Sequence, residues 1–256
     1  MLSQVKSLSG YRLKALDGEI GSVKELYFDD LSWSVRYLVA DSGNWLTGRM
    51  VLISPNAITD VSIHERSVSI SLTKKQIEDS PPLETDKPVS RQFEQIYHAY
   101  YGWPQYWATS YTGNSGGLPY IMRGPVIDTG HNSEPQHSDM HLRSTNDVDG
   151  YHVKAADGEI GHISDFIVDN VTWEIRYVVI DTHNIWPGKH ILISPHWVAS
   201  ISWDDSQVFV NVTRETIKLS PEYDRKSDIT PEDEAALREY YEGYWQSSAD
   251  SQVLRS

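Results

Sequence analysis

Cysteine is absent from this 256-residue chain. That excludes disulfides, a thiol nucleophile and thiolate metal ligands. Long apolar runs are missing too: no stretch approaches the ~20 residues that cross a bilayer. The opening MLSQVKSLSGYRLKALDG has no apolar core of the kind an export signal needs. The expectation is a cytoplasmic chain with no direct membrane insertion. Positive charge is scarce, with 22 Lys and Arg against 36 Asp and Glu and a net charge of −14. Nucleic-acid backbones are held by clustered Lys and Arg. No cluster occurs, so nucleic acid is not an expected partner, and an acidic surface is repelled by anionic lipid. There is no GxSxG elbow and no HExxH, and no haem or iron–sulfur ligand set. An enzyme and a cofactor are therefore not expected.

What the chain has is a long internal repeat. KALDGEIGSVKELYFDD at 14–30 returns as KAADGEIGHISDFIVDN at 154–170, an offset of 140. From 10 to 81 about 27 of 72 ungapped positions match. Trp33, Arg36, Tyr37 and Asp41 return as Trp173, Arg176, Tyr177 and Asp181, and LISP at 52–55 returns at 192–195. A period this long describes two domains rather than a solenoid. The boundaries read are 1–101 for the first module with its helix, 102–147 for a Gly/Pro/aromatic linker, 148–245 for the second module with its helix, and 246–256 for a frayed tail.

Each module reads as β. SVRYLVAD is rich in β-branched and aromatic residues, AITDVSIH and SVSISLT alternate, and turn signals separate them. Six short strands per module predict a small barrel, which would leave no open edge. Helices are expected at KKQIEDSP, RETIKLSP, VSRQFEQIYHAYY and TPEDEAALREYY. In the last, Thr230, Pro231 and Asp233 supply cap, first-turn proline and an acid near the dipole. DGEIG carries two acids and precedes strand-like sequence, so it reads as a glycine turn rather than a phosphate or calcium loop.

The order DGEIG, then VRYLVAD or IRYVVID, then GRMVLISP or GKHILISP, resembles the PRC-barrel family. The acidic helix EDEAALREYYEGYW is similar to the end of the photosynthetic reaction centre H subunit, a member of that family. The resemblance implies two tandem PRC-type β-barrels, each followed by a short helical appendage. It also implies a function of docking on, assembling or regulating a larger protein complex, with room for a homo-oligomer. The H subunit has a membrane-spanning helix ahead of its barrel, and this sequence has none, so the partner is left open. A soluble accessory of a photosynthetic electron-transport complex is one alternative.

Aromatic excess points to protein contacts. Trp103, Tyr106, Trp107, Tyr244 and Trp245 are the candidate partner anchors, the competing reading being that they pack on their own modules. A small-ligand or metal-ion sensor is the other alternative. Asp41, Asn44, Asp181 and Asn184 would sit at the barrel mouths, where loop chemistry is the plainer account. His183, His190 and His196 are the candidate metal ligands, His190 and His196 having the parity to share a strand face. Arg36 and Arg176 are expected to pair with carboxylates of their own modules.

Overall fold

The structure, a computed structural model, describes residues 1–43, 45–46, 48–82, 89–107, 141–183 and 188–253, the side chains of 244–253 excepted. The chain opens with β1 (Leu2–Gln4) and a one-turn helix, α1 (Val5–Leu8). The first module follows as β2 (Arg12–Ala15), β3 (Gly18–Asp29), β4 (Ser34–Asp41), β5 (Met50–Ile53), β6 (Ile58–Ser62) and β7 (Ser67–Ile70). Helices α2 (Lys74–Glu78) and α3 (Arg91–Tyr101) complete it. Then come β8 (Leu142–Ser144), α4 (Thr145–Val148), β9 (His152–Ala155), β10 (Gly158–Asp169), β11 (Ile175–Asp181), β12 (His190–Ile193), β13 (Val198–Ser202) and β14 (Gln207–Val210), with α5 (Arg214–Leu219) and α6 (Pro231–Val253). The predicted start of α6 is there: the Thr230 hydroxyl and backbone N–H both donate to Asp233, at 2.9 Å. Its helical backbone continues to Val253, beyond the residue where the sequence places the tail.

The protein is mainly β, and its two sheets have one topology. Strand order is β5-β4-β3-β2-β7-β6 in the first and β12-β11-β10-β9-β14-β13 in the second. The pairs β2–β7 and β9–β14 are parallel and the rest antiparallel. A flat six-stranded sheet would hold its outer strands about 24 Å apart. Here the outer strands β5 and β6 are joined through four residues, which reach no more than about 17 Å. Each sheet must therefore curl. The closed hydrogen-bonded barrel expected from the pattern differs in one respect: β5 and β6, like β12 and β13, form no ladder, and a 3-10 turn (Pro55–Ala57, Pro195–Trp197) bridges the seam.

The repeated DGEIG serves two purposes. Gly21 and Gly161 have φ of +136° and +143°, and a Cβ there would lie 2.0 Å from the carbonyl oxygen of Asp41 or Asp181. Only glycine allows β3 and β10 to cross that backbone. Asp17 and Asp157 accept the first N–H of α2 and of α5, from Lys74 and Arg214, at 2.7 Å each. A carboxylate there satisfies an orphan donor at the positive end of the helix.

The two sheets are completed by each other's leading strands. β1 pairs with β10 (Leu2 opposite Asp169), and β8 pairs with β3 (Leu142 opposite Asp29). The helices follow: Leu8 of α1 and Val148 of α4, both about fully buried, join one apolar core that contains residues of both modules. Phe28 and Phe166 meet across it at 5.6 Å. The seam is pseudo-twofold, with Val35 N–H donating to Trp173 O (2.7 Å) and Ile175 N–H to Trp33 O (2.8 Å). Asp165, buried beside it, accepts from Lys6 N–H at 3.0 Å and meets Arg225 at 3.2 Å. Among the described residues no helix is long and apolar enough to cross a membrane.

Candidate functional site

A groove of about 910 Å³ is lined by residues of both modules. Its lining comes from the β3–β4 turn, β8, β11, the Pro195–Trp197 turn, β13 and α6. Trp33, Trp197, Trp203 and Tyr241 contribute rings, and Arg143, Arg176 and Arg238 contribute cations. Asp30 fixes one rim, meeting Arg143 Nε and His141 Nδ1 at 3.0 Å each, and the Arg143 guanidinium lies 3.9 Å over Trp203. Tyr177 and Arg176, both in the lining, also meet Glu234 of an adjoining cavity: the Tyr177 hydroxyl donates to it at 3.0 Å, and Arg176, which lines both cavities, is 3.6 Å from the same carboxylate. Burial first, and then Glu234, push the Tyr177 phenol up to about 12, so it stays a donor at neutral pH.

The predicted anchors divide. Trp103, Tyr106 and Trp107 are half-buried and lie on the first module. Trp103 stacks on Tyr101 at 4.3 Å, Tyr106 donates to Glu94 at 2.5 Å beneath the Arg36 guanidinium, and Trp107 meets His98 at 4.9 Å. Beneath them Tyr37 reaches both Glu94 (2.9 Å) and His98 (2.7 Å). Burial raises the Glu94 carboxyl despite Tyr106, Arg91, Tyr37 and Arg36, and burial lowers the His98 imidazole. The side chains of Tyr244 and Trp245 lie outside the described residues. The two strand arginines find carboxylates of their own modules, Asp29 for Arg36 (3.7 Å) and Glu234 for Arg176.

At the ends of β4 and β11, Asp41 and Asp181 make the same turn, accepting the N–H two residues on from Gly43 (2.8 Å) and His183 (2.9 Å). Asn44 and Asn184 lie outside the described residues. Asp181 gathers more. His190 stands opposite it on β12, and its Nε2 is 3.5 Å from Oδ2, while His183 Nδ1 is 2.6 Å from Oδ1. The three donor atoms lie within 4.8 Å of one another. Burial raises the Asp181 carboxyl, but the His183 N–H and the two imidazoles outweigh it and hold it below the usual range. Burial lowers the His190 imidazole against the pull of Asp181. His196 is apart, lining the groove.

Sequence reasoning missed Trp33, Trp197, Trp203 and Tyr241 as lining residues. The repeat held a signal for two of them, because the copies diverge from Ala57 to Trp197 and from Ile63 to Trp203. Residues 14–77 match the family model of the PRC-barrel domain. No curated protein matches the chain.

Proposed function

We propose, on the match of residues 14–77 to the PRC-barrel domain family, that the chain is a non-enzymatic adaptor that docks on a larger protein complex. The groove between the modules carries this reading. Its rings and arginines are the residue types that dominate binding energy at protein interfaces, and they are borne by two modules that share one core. The acidic remainder of the surface disfavours acidic partners. Ala199, exposed on the groove wall, allows a test by bulk. Affinity capture with the tagged full chain is expected to retain partners that Ala199→Trp loses at least tenfold, at unchanged melting temperature. Equal capture by both proteins removes the groove as the docking face.

A second reading rests on the Asp181–His183–His190 cluster: a response to a divalent transition metal, with two imidazoles and a carboxylate as ligands. An ion that binds the native state raises the melting temperature. Zinc is expected to stabilise the wild type and not His190→Ala. Equal shifts in the two proteins, or none, dispose of it.

A further inference from the structure

The two modules treat the same place differently. In the first, α3 ends at Gly102, whose φ of +71° reverses the chain, and residues 102–107, GWPQYW, fold back over the module. Trp103 lies against Tyr97, His98 and Tyr101, at 6.0, 5.8 and 4.3 Å between rings. The Pro104 carbonyl accepts from His98 Nδ1 at 2.9 Å. Tyr106 lies 3.9 Å under the Arg36 guanidinium and donates to Glu94.

An offset of 140 carries Arg36, Tyr97, His98 and Tyr101 to Arg176, Leu237, Arg238 and Tyr241. All four line the open groove. No chain reversal covers them, because Glu242 stands where Gly102 does and α6 runs on. Trp197 takes one ring position, its ring 3.6 Å from that of Tyr241, while Ala57 stands at the matching place beside Trp103's module. The remaining space is the 910 Å³ groove, unfilled by any described residue. Glu234 stands beside Arg176 in the cavity that adjoins the groove. Its counterpart Glu94 receives two tyrosine hydroxyls and has a side chain 2% exposed, whereas Glu234 receives Tyr177 and is 24% exposed.

Resting on the docking reading, we propose that this groove takes an extended aromatic–proline segment of a partner protein, of the same chemistry as the chain's own GWPQYW. One Tyr or Trp ring lies on the Arg176 guanidinium, a cation–π contact. A tyrosyl hydroxyl there reaches Glu234, and a second ring packs against Tyr241 and Trp197. The segment pays little ordering entropy because proline restricts it beforehand.

The probe is a fluorescein-labelled peptide Gly-Trp-Pro-Gln-Tyr-Trp titrated with the full chain and followed by fluorescence polarisation. Saturable binding is expected, weakened at least tenfold by Ala199→Trp and by Arg176→Ala, and lost when the peptide's Tyr and Trp residues are replaced by Ala. Absence of saturation at millimolar chain, or equal binding to Ala199→Trp, overturns the proposal. If the peptide fails while capture from lysate remains sensitive to Ala199→Trp, the docking reading stands and this occupant is wrong. If neither responds, both fall. Self-association of the chain that Ala199→Trp abolishes, without peptide binding, identifies a second copy as the occupant and also overturns it.

Discussion

Gly21 and Gly10 separate two reasons for a glycine. Both have positive φ, +136° and +79°, but a Cβ on Gly10 would meet no heavy atom within 4 Å, whereas on Gly21 it would strike the Asp41 carbonyl at 2.0 Å. Gly10→Ala therefore incurs only the backbone term, about 1–2 kcal/mol. Gly21→Ala must also push β3 away from β4 along a ladder of buried residues, and is expected to lose about 3 kcal/mol or more. Urea unfolding of the two variants checks this, and equal losses would mean that β4 yields without cost. Trp33 and Trp173 show the converse case. They hold φ of +53° and +58° with bulky side chains, a conformation such residues rarely adopt. The compensation is visible around them. Each N–H donates to the backbone carbonyl of the aspartate four residues back at 2.7 Å, each carbonyl accepts across the module seam, and Trp33 stacks on Phe28 at 5.5 Å.

At the level of elements, the repeat and the alternation made most strands legible. SVRYLVAD is β4 to the residue, and the DG turn separates β2 from β3 as a glycine turn should. The local signal ends where partners are distant. β1 and β8 have three residues each, too few to display a period, and they pair with strands more than 110 residues away. Their burial comes from the other module, so neither alternation nor composition could announce it. His190 and His196 share no strand face, for a local reason: β12 ends at Ile193, and His196 sits in the 3-10 turn Pro195–Trp197, where it lines the groove. The cross-strand meeting of Asp181 with His190 depended on the β11–β12 register, which hydrophobic pattern alone leaves one residue uncertain. The anchors at 103–107 were legible as aromatic but not as placed. Their position follows from the chain reversal at Gly102 and from the Tyr37–Glu94–His98 network beneath them, which is assembled from residues 57 and 61 positions apart.

The whole molecule behaves as a homodimer fused into one chain. Its seam is isologous in kind, each half giving a strand and a helical turn and receiving the same. Fragment 1–107 alone would lose β8 and α4 from the edge of β3, and its own β1 and α1 would have no β10 to join. An unpaired edge next to uncovered core is a template for another strand. Leu2, Ser3 and Gln4 occupy in the repeat the places of Leu142, Arg143 and Ser144, so two fragments can exchange them reciprocally. The match is imperfect. Thr145 Oγ1 accepts the buried Leu26 N–H at 3.2 Å and Ser144 donates to Glu25, while the repeat offers Val5 and Gln4 in those places. Val5 has no acceptor side chain, and leaving a buried N–H unpaired costs about 1–3 kcal/mol. The fused chain also holds its second strand at an effective concentration no free copy matches. The expected result by light scattering is therefore a fragment dimer that dissociates on dilution, and that is lost when residues 1–8 are removed. A fragment that stays folded and monomeric at every concentration would mean that each sheet is complete without the strand it borrows.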